Sequence, residues 1–415
     1  MNMNEPKLRF KADDGSQFPD WEEKKIGDIF SKVKDKNKDG QNQNVITNSA
    51  EFGLINQRDF FDKDIAVEGK TENYTVIKTG DFVYNPRKSK QAPYGPFNCY
   101  QLEEDGIVSP LYTCLRPKGN ADDKYLHWYF QSGSWYRFIY ENGAQNGARH
   151  DRVGMTDSLM QGIPVYLPQV VEEQQKIAEF LSTIDTVIEK QKETVSAWEE
   201  RKKGVMQKLF SQEVRFKADD GSEFTECEEK KLSEIASFHS GLTYTPDDVV
   251  DSENGTLVFR SSNIQNGRIA YDDNVYVDKE LKEKNYVKLH DIVVCVRNGS
   301  KALVGKNALV TESDLNATWG AFMTVIRAKQ NYEFVHQYLN STFFKKEMYK
   351  DSGTATINQI TTAMLNGCKL FVPSLPEQQK IADCLSSLDE VIEKQKATLA
   401  TWEELKKGLL QQMFV

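Results

Sequence analysis

Little in this 415-residue chain is spaced for catalysis. Glu68-Gly-Lys-Thr71 has the tail of a phosphate-cradling loop, but the first glycine of Gly-x4-Gly-Lys-[Ser/Thr] falls on Asp64. Without that glycine the backbone N–H groups do not wrap a phosphate. No Gly-x-Gly-x-x-Gly follows a strand-like run, so a dinucleotide site and a methyltransferase cofactor site are unsupported. Asn85-Pro-Arg-Lys88 departs from the Asn-Pro-Pro-Tyr pattern of amino-methyltransferases. Pro246-Asp247 with Glu280-Leu-Lys282 echoes metal-binding nuclease carboxylates, yet Glu-x-Lys is commonplace in a chain that is 28% charged. The five histidines (His127, His150, His239, His290, His336) are isolated. The six cysteines form no Cys-x-x-Cys pair, as expected of buried free thiols in a reducing compartment. The expectation is no catalytic residue, no metal and no cofactor held by this chain.

Recognition chemistry is better represented. Arg87-Lys-Ser-Lys-Gln-Ala-Pro-Tyr94 carries three cations, no acid and an aromatic end, directly after a strand-like run. Its counterpart is Arg297-Asn-Gly-Ser-Lys301. Arginine and lysine held at a strand end can reach phosphates, or pair with guanine O6 and N7 in the major groove. We expect Arg87, Lys88, Lys90, Arg149, Arg152, Arg297 and Lys301 in that role. Beside them, Ser89, Gln91, Asn146, Arg260, Asn263, Asn298, Ser300, Thr354, Asn358 and Gln359 are expected at base edges, with Tyr94 as their aromatic neighbour. Three further segments supply them: Gln145–Arg152, Ser352–Gln359 and Arg260-Ser-Ser-Asn263. Any one basic loop is usually just a solvated loop. Recurrence at equivalent places is what raises these above that reading. The net charge of −9 argues globally against nucleic acid, but a local basic face can sit on an acidic molecule that also binds protein.

The elements that must position these residues are written twice. Arg9-Phe-Lys-Ala-Asp-Asp-Gly-Ser16 returns as Arg215 to Ser222, and the match runs to Ile29 and Ile235 without a gap. Glu173-Gln-Gln-Lys-Ile-Ala178 returns as Glu377 to Ala382, followed by Ile188-Glu-Lys-Gln-Lys192 and Ile392 to Lys396, then Trp198-Glu-Glu and Trp402-Glu-Glu. The chain is a tandem duplication. Between these blocks the halves diverge over a faint shared skeleton of strand-like runs: Asp81–Arg87 with Asp291–Arg297, and Gly162–Pro168 with Gly367–Pro373. A helical stretch is expected over 122–140. Each variable part reads as a mixed α+β globule of ordinary domain size.

Steps of four and three from Ile177 give Leu181, Ile184, Ile188, Gln191, Val195, Trp198, Lys202, Val205 and Leu209. From Ile381 they give Leu385, Leu388, Ile392, Gln395, Leu399, Trp402, Lys406, Leu409 and Met413. The polar exceptions coincide in the two copies. Such a 3.5-residue period predicts a coiled-coil seam, with each helix the obvious partner of the other. In an antiparallel pair Gln191 and Gln395 would meet near the centre; two solvated glutamines at a frayed layer remain the other reading. A helix over 177–209 would be a rod of roughly 50 Å. By the same symmetry, Phe414 should stand to Arg9 as Phe210 stands to Arg215.

These motifs together resemble the specificity subunit of type I restriction–modification systems: Glu-Gln-Gln-Lys-Ile-Ala after Leu-Pro, the long Trp-bearing helix, its second copy, and the Trp21-Glu-Glu-Lys-Lys-Ile-Gly-Asp-Ile29 entry. The resemblance covers the whole chain. It departs at His290 where the first copy has Gly80, and at Cys227 where the first copy has Trp21.

The resemblance implies an α+β fold class: two target-recognition domains joined by two long helices in an antiparallel intramolecular coiled coil with pseudo-twofold symmetry. It implies an N-terminal repeat segment (1–19), recognition domain 1 (20–168), a central conserved helix (169–212), a repeat linker (213–225), recognition domain 2 (226–373) and a C-terminal conserved helix (374–415). It further implies double-stranded DNA as ligand, with each domain reading half of a bipartite site. The partners would be two methyltransferase subunits carrying S-adenosylmethionine, and restriction subunits using ATP and Mg. A duplicated protein-interaction adaptor is the competing reading. Met1–Pro6 lacks the pattern of a secretory leader and no run approaches 18 apolar residues, so a cytoplasmic, membrane-free protein is expected.

Overall fold

A computed structural model of the chain describes residues 6–60, 71–143, 151–349 and 358–415. The chain folds as two compact units, Met1–Lys192 with Ala397–Val415, and Glu193–Lys396. Among the described residues no helix is long and apolar enough to cross a membrane.

Each unit is built on a four-stranded antiparallel sheet of the same order. In the first unit it runs Phe30–Lys32, Thr113–Pro117, Phe82–Tyr84, Phe97–Cys99; in the second, Ala236–Ser240, Met323–Ala328, Ile292–Cys295, Asn307–Leu309. The third strand of each order is the run expected from sequence. It reads as an uninterrupted apolar stretch because both of its faces are covered: Phe82, Val83 and Tyr84 are fully buried, as are Ile292, Val293 and Val294. Register is matched too, Phe82 opposite Leu115 and Ile292 opposite Ile326. A second ribbon pairs Glu22–Lys25 with Pro164–Leu167, and Glu228–Lys231 with Lys369–Val372.

The expected helix over 122–140 is instead two, Asp123–Ser132 and Tyr136–Asn142. Gly133 ends the first in the left-handed region at φ 77°, where a glycine stops a helix without a steric cost. The second unit has the equivalent pair, Tyr332–Leu339 and Thr342–Tyr349. The turn at His290, where the second copy departs from Gly80, forms all the same. His290 takes φ 68° where Gly80 takes 88°. Lys78 N–H and Lys288 N–H each donate to the following aspartate at 2.8 Å, and the His290 ring stacks on Tyr332 at 3.8 Å.

Two long helices, Val171–Phe210 and Leu375–Met413, carry the repeated blocks. In the first unit Ile177 and Leu181 share a core with Met413 and Phe414, while Lys406 pairs with Asp185. As one helix advances the other recedes, so the segments are antiparallel. The second unit repeats this: Ile381 and Leu385 share a core with Met206, Leu209 and Phe210, Lys202 pairs with Asp389 at 2.6 Å, and Glu199 with Lys396 at 2.8 Å.

Of the seam residues, Ile177, Leu181, Ile184, Ile188, Ile381, Leu385 and Ile392 are buried, and Gln191, Trp198, Leu388, Gln395 and Trp402 half-buried. Near its end the first seam shifts by one position. Met206 is buried and Val205 only half-buried, the drift expected when a straight 3.6-residue helix departs from a 3.5-residue ladder.

Candidate nucleic-acid interface

The basic segment after the buried strand and the loop before the last strand look unrelated in sequence. The fold stitches them together, and does so in both units. In the first, Arg87 and Arg152 form an antiparallel bridge, Lys88 N–H donates to Asp151 O at 2.9 Å and Val153 N–H to Pro86 O at 2.8 Å. In the second, Arg297 and Gln359 form the same bridge, Asn298 N–H donates to Asn358 O at 3.2 Å and Ile360 N–H to Val296 O at 2.7 Å. Side-chain turns then set each segment. Asn85 Oδ1 accepts Arg87 N–H at 3.0 Å, Ser89 Oγ accepts Ala92 N–H at 3.0 Å, and Asn298 Oδ1 accepts Ser300 N–H at 2.9 Å.

Arg87, Lys88, Ser89, Lys90, Gln91, Arg297, Ser300, Lys301 and Gln359 are exposed on these segments, and Tyr94, Arg152, Arg260, Asn298 and Asn358 are half-buried. Asn146, Arg149 and Thr354 lie outside the described residues. One expectation needs correcting. Asn263 is fully buried: its Oδ1 accepts Arg260 N–H, and its amide donates to the carbonyls of Ala270 and Asp273 and to Asn274. It braces its turn and cannot present a base edge. Asn298, half-buried, donates to Ser261 Oγ at 3.1 Å while accepting from Ser300. Tyr94 packs on Tyr136, with ring centroids 5.1 Å apart, and its carbonyl accepts the Tyr84 hydroxyl at 2.7 Å.

Three buried polar atoms here lack a hydrogen-bond partner among the described residues: Arg152 Nε, which lies 3.8 Å from the Asp151 carboxylate, Arg260 Nε and Asn358 Oδ1. A buried donor or acceptor left unpaired costs about 1–3 kcal/mol, so water or a ligand can complete the bonding there. Arg260 is otherwise tied to Asp273, at 2.8 Å to the carboxylate.

Sequence reasoning missed a buried ion pair that anchors the start of the strand leading to each basic segment. Asp81, fully buried, receives a bidentate pair from Arg116, both bonds 2.7 Å. Asp291 receives the same from Arg327, at 2.7 and 2.6 Å. The signal was present as an Asp and an Arg recurring at nearly one offset. Each unit also has a cavity at the site. The first, about 410 Å³, includes Asn48, Ser49, Asn85, Arg87, Ser89 and Gln91. The second, about 640 Å³, includes Leu242, Tyr244, Arg260, Phe322 and Met323. Nothing in the sequence marked Phe322, because exposure of a lone aromatic has no local signature.

The described residues contain no cluster of three His, Cys, Asp or Glu able to hold a metal ion. Burial pushes the Cys99 and Cys114 thiols up to about 12, which keeps them protonated near neutrality.

Comparison with known proteins identifies the family. The family described as "Type I restriction modification DNA specificity domain" matches residues 19–196 and again 225–401. The chain is 25% identical to the type I restriction enzyme MjaVIII specificity subunit of Methanocaldococcus jannaschii, over 97% of this chain and 94% of that protein. It is 29% identical to the StySPI specificity subunit of Salmonella potsdam over 185 residues, covering 43% of this chain and only 40% of that protein. Among solved structures it shares a fold with a chain from work on complex assembly and conformational transition of a type I R-M system. That match has a TM-score of 0.57 at 15% identity, over 96% of this chain and 98% of the other. The S subunit from M. genitalium gives a TM-score of 0.51 at 16% identity, over 99% of both chains.

Proposed function

The chain belongs to the type I restriction–modification DNA specificity family, and from that premise we propose that it is the DNA-reading subunit of such a complex. Each unit reads one half of a bipartite, asymmetric double-stranded site through its bridged pair of loops, and the two long helices set the unread gap. The same helices bind two methyltransferase subunits, which supply S-adenosylmethionine chemistry on adenine. Restriction subunits using ATP and Mg complete the assembly, which belongs in the cytoplasm. The chain itself catalyses nothing.

The observation that supports this best is the recurrence of one loop arrangement, Arg87 against Arg152 and Arg297 against Gln359, in units whose loop sequences differ. A shared frame with diverged loops suits two readers of different half-sites. An overall acidic chain is compatible with that, because phosphate attraction is local, screened over about 8 Å at physiological salt.

The test is electrophoretic shift by the chain alone and with methyltransferase subunits, on DNA carrying a motif found by mapping methylated adenines. A sequence-specific shift is expected with the complex. An adaptor without DNA specificity gives none in either case. Inserting one heptad into both long helices should change the gap between half-sites while leaving each half-site as it was.

A further inference from the structure

Phe322 is 58% exposed, yet its backbone is pinned. Its carbonyl accepts the N–H groups of Val296 at 3.0 Å and Arg297 at 3.2 Å, while Gly320 donates to Phe259 O at 3.0 Å and Met323 to Gly320 O at 2.8 Å. Gly241 closes on the same turn so tightly that a Cβ there would overlap the Gly320 carbonyl oxygen. The ring is therefore held out on a fixed support. The Arg297 guanidinium lies over it, 5.4 Å from the centroid. That contact orients the guanidinium, and among the described residues no carboxylate or carbonyl takes up its N–H fork.

The first unit lacks this pair. Tyr84 is opposite Thr113 and Cys295 opposite Met323, so the register places Leu111 where the second unit has Phe322. Leu111 is 37% exposed, and among the described residues no ring covers Arg87.

An arginine fork matches guanine O6 and N7. The one apolar group that base pairs present in the major groove is the C5-methyl of thymine. A ring lying against that guanidinium reaches the base beside the guanine. Resting on the DNA-reading assignment above, we propose that Arg297 and Phe322 read a guanine–thymine step, Arg297 taking the guanine edge and Phe322 packing on the methyl of the neighbouring thymine. The first unit does not share this preference, which makes Phe322 a specificity-determining residue of the second half-site.

The test replaces each thymine of the mapped site in turn by deoxyuridine, which removes only the methyl group. Affinity is measured for the full chain in complex with methyltransferase subunits, wild type and Phe322→Ala, with thermal melting to check that the exposed substitution leaves the fold intact. One replacement beside a guanine should weaken the wild type about fourfold, the effect of losing one buried methyl, and leave Phe322→Ala unchanged. Phe322→Leu should retain part of the sensitivity. The proposal is overturned if no thymine neighbours a guanine in the site, if no such replacement weakens binding, or if Phe322→Ala keeps the same sensitivity. Absence of sequence-specific binding by the wild-type complex is a different result, and overturns the DNA-reading assignment itself.

Discussion

Leu8 donates its backbone N–H to the carbonyl of Gln412 at 2.9 Å, as Val214 donates to Lys208 at 3.3 Å. Leu8 and Val214 are repeat equivalents, and so are Gln412 and Lys208. Around each bond the packing is copied. Phe414 lies against Tyr125 at 5.5 Å and Tyr129 at 6.0 Å; Phe210 lies against Phe334 at 5.6 Å and Tyr338 at 5.5 Å. Each unit thus needs a helix end and a repeat block side by side. In the second unit Ser211–Glu213 join them covalently; in the first, packing and one hydrogen bond do the same task. This is the arrangement expected for Phe414 and Arg9 from the repeat.

Relinking follows directly. Joining Val415 to Asn4 through a short flexible linker and opening the chain between Ser211 and Glu213 should preserve cooperative unfolding and DNA specificity, since the cut falls between exposed residues and leaves the Val214–Lys208 bond in place. Thermal unfolding of the permuted chain checks it. Loss of a cooperative transition would show that the covalent joint at 211–213 is required.

A buried ion pair clamps each repeat block to its helix. Glu173 and Glu377 are almost fully buried and accept from Arg9 at 2.7 and 3.0 Å and from Arg215 at 3.1 and 2.5 Å. Trp21 Nε1 also donates to Glu173 at 3.2 Å, while the second copy has Cys227 at that place. Removing one partner leaves a buried charge uncompensated, so Glu173→Ala should cost about 3–5 kcal/mol. Glu377→Ala should cost less, since it strands one donor fewer. Chemical denaturation of the two variants gives the comparison, and a larger loss for Glu377→Ala contradicts it.

The acid limb of stability should depend on two equivalent histidines. Burial, reinforced by nearby Lys406, pushes His127 down to about 4, against a smaller opposing pull from Asp185. Burial pushes His336 down to about 4 as well, opposed by Asp389 and aided by Lys202. The unfolded chain, titrating near 6.5, takes up these protons before the folded chain does. Stability from the neutral rings is therefore complete above about pH 6.5 and falls as pH drops from there to about 4, by at most about 1.4 kcal/mol per pH unit for each histidine. Denaturant midpoints of wild type, His127→Gln and His336→Gln across pH 4–7 measure it; equal slopes in all three would falsify the assignment.

The duplicated skeleton was legible because it is written in local patterns. Repeat blocks, the apolar ladder from Ile177 and the buried run Phe82–Tyr84 each have a period or a composition that a single segment displays. The site was legible only in outline. That Arg87 meets Arg152 depends on a pairing across more than sixty positions, which no local pattern encodes. Asn263 misled because an asparagine that braces a turn and one that reads a base have the same sequence signature. Gly133 could have been foreseen as a helix stop; the aromatics clustered on both sides of it masked it.

The central claim is that the two units read separate half-sites through equivalent arginines. The most direct measurement is the affinity of Arg87→Ala and Arg297→Ala complexes for DNA in which each half-site is altered in turn, over a series of salt concentrations. Each variant should lose about 1–3 kcal/mol on the intact site and become indifferent to changes in one half-site, a different half-site for each. An arginine that touches only phosphate would instead weaken binding uniformly and lower the salt slope by about one. Unchanged affinity and specificity in both variants at every salt concentration would contradict the account.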